Sequence, residues 1–131
     1  EIAKAIRVYR ERGKLKNNKT RFVTDLLPED FIGLLRRASV LVGNSSSGIK
    51  EASYFGIPVV NIGTRQKGRL RAENVVDAGY DKEAILKAVR TQWKSGRYPK
   101  SKIYYQPGTS DKIVRVLSRV KLYTQKTFHN P

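Results

Sequence analysis

Two short, unbroken apolar runs constrain this chain most: Val40-Leu41-Val42, ending in Gly43, and Pro58-Val59-Val60-Asn61-Ile62, ending before Gly63. A strand with one wet face alternates apolar and polar residues. A run apolar at successive positions needs cover on both faces, the condition of a parallel sheet between helices. Helical segments flank both runs. Ile2, Ala5, Ile6 and Tyr9 recur at helical spacing ahead of a stop at Gly13. Pro28 suits a first helical position, Glu29 and Asp30 suit the positive end of the dipole, and Phe31, Leu34, Leu35 and Ala38 share a face, which predicts a helix over 28–38. Gly48 to Phe55 is predicted helical as far as Gly56, ahead of Pro58. Asp81 is the expected cap of a helix with Ile85, Ala88, Val89 and Trp93 on one face and Gly96 at its end. A last helix carries Ile113, Val116, Leu117 and Val120 after a Ser110 cap, Arg21 to Leu26 reads as a further short strand, and 63–79, rich in Arg, Lys and Gly, reads as loop. The pattern is that of an α/β sandwich with right-handed crossovers.

With 131 residues the chain can bury one core, so it is one domain or part of one. It has no cysteine and a single histidine, His129, which excludes thiolate chemistry, a disulfide framework and a histidine-built metal centre; no metal and no cofactor are expected. The apolar runs are far too short to span a bilayer, and the reading is a soluble, cytoplasmic protein with no membrane partner. Glu1 stands inside a helical pattern and there is no Met, so residues upstream are expected to be missing. The net charge of +16, from 27 Lys and Arg against 11 Asp and Glu, suits an anionic partner, a nucleotide or a nucleic acid. It equally suits an acidic companion surface or a solubilising coat. Between Glu83 and Asp111 there is no acid, while Lys87, Arg90, Lys94, Arg97, Lys100 and Lys102 form a basic face.

The chemistry concentrates after the first apolar run, at Gly43-Asn44-Ser45-Ser46-Ser47-Gly48. In parallel sheets ligands bind beyond the carboxyl ends of strands, at helix starts, where free backbone N–H groups and the dipole favour an anion. Gly43 and Gly48 let the backbone turn and approach a ligand, and Ser45, Ser46 and Ser47 add donors; the spacing is neither a Walker loop nor a dinucleotide fingerprint. Plain helix capping accounts for the serines equally well. Glu51 strengthens the case, since its carboxylate can accept the hydroxyl protons of a ribose whose phosphates occupy the turn. Alternatively it complements the dipole, for about 0.3–1 kcal/mol.

Four stretches, G-N-S-S-S-G-I-K-E-A from Gly43, F-G-I-P-V-V-N-I-G-T-R-Q-K-G-R from Phe55, E-N-V-V from Glu73 and Y-P-K-S-K-I-Y from Tyr98, together resemble the hydrolysing UDP-N-acetylglucosamine 2-epimerases of sialic-acid and related sugar biosynthesis. The G-T-R-Q-x-G-R segment at this distance after N-S-S-x-G carries most of the specificity, and the likeness runs from the first helix to about residue 120. It implies the C-terminal half of a two-domain glycosyltransferase-B-like fold, a three-layer Rossmann-like sandwich lacking its first strands, with a UDP-binding domain over 1–120 and a tail over 121–131.

By that resemblance Ser45 and Ser46 hold the diphosphate beside Ser47 and Gly48, Glu51 binds the ribose, Arg65 serves the nucleotide site and Phe31 lies near the uracil. Phe31 also fits the apolar face of its helix, and Arg65 the role of a solvated cation; basic residues at 65, 67, 69 and 71 favour neutralisation of a diphosphate. The family reaction eliminates UDP from UDP-N-acetylglucosamine to a glycal and adds water, giving N-acetylmannosamine. Its proton-shuttling carboxylates lie largely in the preceding domain, so no catalytic residue is assigned in this chain. UDP and a UDP-N-acetylhexosamine, the absent N-terminal domain and a homo-oligomer of the complete protein are the implied partners. Arg7, Arg10 and Arg12 resemble the basic segment that binds a feedback inhibitor, CMP-sialic acid, in the animal members, although a solvated helix face explains them equally. Tyr105-Gln106-Pro107-Gly108 departs from the family's glycine-rich turn. A sugar transferase of the same fold is one alternative. Another is a non-enzymatic RNA or polyanion binder, with Tyr98, Tyr104 and Tyr105 stacking bases between cations; no recognised nucleic-acid motif supports it.

Overall fold

A computed structural model describes residues 2–11 and 20–121. The chain divides into two compact units, Glu1–Leu34 and Leu35–Pro131. The first contains α1 (Ile2–Glu11) and the start of α2 (Pro28–Arg37), close to the predicted helices. Gly13, the expected stop of α1, and most of the tail lie outside the described residues. The strand expected at Arg21 to Leu26 does not form. A strand exists through its ladder, and this segment pairs with none of the described strands, leaving Phe22 and Val23 about half exposed.

In the second unit β1 (Leu41–Gly43), β2 (Val59–Ile62) and β3 (Val75–Ala78) form a parallel sheet in the order β1-β2-β3. Gly43 pairs with Asn61, and Asn61 with Asp77. The middle strand is the most buried, with Val60 fully covered, as its unbroken apolar run requires. β3 was expected to be loop. It is four residues long, faces solvent at Val76 and Asp77, and follows a stretch of cations and glycines, so it carries no apolar pattern.

The helices of this unit are α3 (Glu51–Phe55), α4 (Lys82–Ser95) and α5 (Thr109–Leu117). Asp81 caps α4 as expected, accepting the Ala84 N–H at 2.8 Å. Its inner face, however, is completed by a polar residue. Gln92 is fully buried and its Nε2 donates to the carbonyls of Val59 at 2.9 Å and Asn74 at 3.0 Å, while its Oε1 accepts the Tyr98 hydroxyl at 2.7 Å. Its two amide protons bridge carbonyls at the beginnings of β2 and β3, which an indole with a single N–H could not do. Trp93, expected on the inner face, is 69% exposed. On α5 the expected Ser110 cap is absent; Gly108, in the left-handed region, stands at that position, and every residue of α5 is exposed, including Ile113, Val116 and Leu117, as is Val120 beyond its end.

Two features seal the floor of the unit. The Arg97 guanidinium donates to the carbonyls of Arg36, Ala38 and Phe55, closing the C-terminal ends of α2 and α3, where cations are favoured. Gly56 ends α3 at φ +66° and lies under the Tyr98 backbone, whose N–H donates to the Gly56 carbonyl at 2.9 Å. A Cβ at Gly56 would collide with the Tyr98 carbonyl oxygen, whereas Gly68, also at positive φ, has open space beside it. Gly56→Ala is therefore expected to cost more than about 2 kcal/mol, against roughly 1 kcal/mol for Gly68→Ala, as read from chemical denaturation of the two variants.

Candidate functional site

Because the three strands run parallel, their carboxyl ends at Gly43, Ile62 and Ala78 open onto one edge of the sheet. There the chain makes the serine turn after β1, the 63–74 loop after β2, and the Gly79-Tyr80 connection after β3. Gly43 has φ +150°, a conformation that L side chains rarely adopt, and it releases the chain into the turn. Ser46–Gly48 form a single 3-10 turn, and Ser45 caps it, its Oγ accepting the Ser47 N–H at 3.3 Å. The expected helix from Gly48 is thus a 3-10 turn followed by a five-residue α3.

Gly48 serves differently from its expected role. It does not occupy the left-handed region; it is buried, and a Cβ there would stand 2.9 Å from Val59 Cγ1. Its bareness lets the turn sit down on the sheet, and the next residue, Ile49, is 1% exposed and anchors it. The N–H groups of Gly48, Ile49 and Lys50 are used internally, by the carbonyls of Ser45 and Ser46. Those of Ser45 and Ser46 find no acceptor among the described residues. The turn therefore presents two open amides and three hydroxyls, although Ser45 Oγ also donates to Ser47 Oγ at 3.3 Å. Immediately beyond, Glu51 begins α3 with one carboxylate oxygen, Oε2, buried and without a hydrogen-bond partner.

The 63–74 loop is tied to this turn by a residue to which the sequence reading gave no role. Gln66 is 2% exposed and its Nε2 donates to the Asn44 carbonyl at 2.7 Å. Arg71 donates through Nη2 to the Gln66 carbonyl at 2.9 Å and through Nη1 to both carboxylate oxygens of Asp77 at 2.6 Å. Asn61, beside Asp77 in the sheet register, donates to the same carboxylate at 2.7 Å. Of the four loop cations, Arg71 is thus spent on Asp77, in the only ion pair among the described residues, and Arg65, Lys67 and Arg69 are exposed. Asp77 is the acid that holds the loop, through Arg71. Gln66 could have been suspected from the G-T-R-Q segment, but no periodicity marks a single buried amide in a polar loop.

The remaining candidates belong to other segments of the chain. Phe31 is half-buried on α2 in the first unit. Arg7 is exposed on α1; the Arg10 side chain and Arg12 fall outside the described residues. The tyrosines considered as base platforms have internal partners: Tyr98 on Gln92, Tyr104 on the Leu70 carbonyl at 2.6 Å, and Tyr105 against the Tyr54 ring at 4.5 Å between centroids. No described helix is long and apolar enough to cross a membrane.

A three-stranded parallel sheet flanked by helices defines a Rossmann-like α/β fold. The model of one family, UDP-N-acetylglucosamine 2-epimerase, matches residues 2–118, and the chain belongs to that family, which has a glycosyltransferase-B-like fold. It is 36% identical over 105 residues to a hydrolysing UDP-N,N'-diacetylbacillosamine 2-epimerase of Legionella pneumophila, covering 80% of this chain and 28% of that protein. Against a hydrolysing GDP/UDP-N,N'-diacetylbacillosamine 2-epimerase of Campylobacter jejuni the identity is 42% over 62 residues, 47% of this chain and 16% of the relative. A UDP-N-acetylglucosamine 2-epimerase of Neisseria meningitidis is 36% identical over 70 residues, 53% of this chain and 19% of its own length. The chain therefore spans less than a third of each of these relatives.

Burial alone would raise the pKa of Asp77, but the Asn61 hydrogen bond, the Arg71 hydrogen bond and the Arg71 charge together hold it below the ordinary value of 3.8. A depressed carboxylate contributes stability that is fully present above its unfolded pKa and is lost as pH falls through the lower folded value. Stability is accordingly expected to fall below about pH 4, and Asp77→Asn to flatten that part of the profile. Denaturant midpoints measured for both proteins between pH 2 and 6 check this.

Proposed function

We propose that this chain is the UDP-binding part of a hydrolysing UDP-N-acetylglucosamine 2-epimerase. In this reading the open amides of Ser45 and Ser46, with the hydroxyls of the three serines, receive the diphosphate, and Arg65 supplies charge from the loop opposite. Glu51 accepts the ribose hydroxyls and Gly48 keeps the turn close to the sheet. The observation that carries the reading is Glu51 Oε2, buried and unpartnered at the first residue of α3. A buried acceptor left unpaired costs about 1–3 kcal/mol, which a ligand hydroxyl would recover. It directly follows the serine turn, with its open Ser45 and Ser46 amides.

The chemistry follows from the leaving group. Elimination of UDP from C1 of the sugar, with loss of the proton at C2, builds negative charge on the β-phosphate. Preorganised N–H groups and cations that hold that charge lower the barrier. Water then adds to the glycal, and reprotonation at C2 from the opposite side gives N-acetylmannosamine. The proton-transferring carboxylates are assigned to the part of the relatives that this chain does not span, so the chain alone is expected to bind and not to turn over. Relatives named for UDP-N-acetylglucosamine and for UDP-N,N'-diacetylbacillosamine have UDP in common, and it is the UDP end that these residues serve. The internally engaged tyrosines give no support to RNA stacking.

Isothermal calorimetry with UDP tests the assignment. Glu51→Ala and Ser46→Ala are each expected to weaken UDP by roughly tenfold or more, the scale of a hydrogen bond involving a charged group. RNA binding with a steep salt dependence, indifferent to both substitutions, would overturn it.

A further inference from the structure

We infer that Gln66 is a positioning residue: it turns the Asn44–Ser45 peptide so that the Ser45 N–H faces the anion, and the Arg71–Asp77 pair keeps Gln66 in place. The inference rests on the reading of the serine turn as the diphosphate site. A peptide group is planar and trans, so the Asn44 carbonyl and the Ser45 N–H belong to one plate and point in opposite directions. Fixing the carbonyl therefore aims the amide. Gln66 fixes it with a 2.7 Å hydrogen bond from a side chain that is 2% exposed. The plate needs such a hold, because the Ser45 N–H has no acceptor of its own among the described residues and so nothing on the amide side fixes it.

The other end of the Gln66 amide points to the same role. Its Oε1 is buried and makes no hydrogen bond, a cost that an apolar side chain of the same length would avoid. The amide is thus present for its donor. Donation requires the loop backbone to stay where it is, and here the Arg71 guanidinium acts: Nη2 holds the Gln66 carbonyl while Nη1 is gripped by Asp77, itself held by Asn61 on β2. The chain of contacts runs from the sheet to the turn through side chains that need not touch the ligand.

The test uses Gln66→Met, which keeps the length of the side chain and removes the donor, and Asp77→Ala, which loosens the loop at a distance. NMR is run on the ligand-free proteins, followed by titration with UDP and with uridine. In Gln66→Met the Ser45 amide resonance is expected to move before any ligand is added, UDP to weaken about tenfold, and uridine to be unaffected. Asp77→Ala is expected to move the same resonance by a smaller amount, and decides the matter if Gln66→Met does not fold. Equal weakening of UDP and uridine, or an unmoved Ser45 amide, overturns the positioning role. If the unsubstituted chain binds no UDP, the diphosphate reading fails, and the ligand-free Ser45 resonance still decides whether Gln66 orients the peptide.

Discussion

The parallel pairing of β2 with β1 on one side and β3 on the other is the constraint on which the rest depends. It places the ends of all three strands at one edge, so that three connections distant in sequence meet there. It demands cover on both faces of β2, which explains the apolar run that made the fold legible. It also brings Asn61 beside Asp77, the contact through which the sheet holds the 63–74 loop. Were the strands antiparallel, the turn after β1 and the loop after β2 would leave from opposite edges.

Much of this could be read from the chain. The runs at Val40–Val42 and Pro58–Ile62 gave two of the three strands, and Asp81 gave the cap of α4, because continuous burial and side-chain capping leave marks within a few residues. What failed has a common cause. β3, the burial of Gln92 and the exposure of Trp93 depend on partners tens of residues away, and a four-residue strand or a single amide has no period to betray it. The strand expected at Arg21 to Leu26 had the right composition but joins no ladder with the described strands. At the site, Ser45, Ser46, Gly48 and Glu51 fall together on one turn as the local order required, whereas Gln66 emerged only from its contact with Asn44.

Charge illustrates the same difference between counting and placing. With +16 overall, the four cations of the loop invited a single reading as a counter-surface for phosphate. The structure separates them into one that is internal and three that are free. Arg71 is part of the scaffold, fixed by Asp77, while Arg65, Lys67 and Arg69 remain exposed. Arg97, counted in a basic face, likewise closes two helix ends. Net charge describes what a domain attracts; hydrogen-bond geometry decides which cations are available to it.

In the proposed function the nucleotide binds at the turn after β1, with Glu51. A map of backbone amide shifts on titrating UDP into the isotope-labelled chain tests it most directly, since it reports every position at once. The largest changes are expected at Ser45 to Glu51, with smaller ones at Thr64 to Gln66. Changes confined to the cationic surface of α4 and the 97–102 segment, with the serine turn silent, would contradict it.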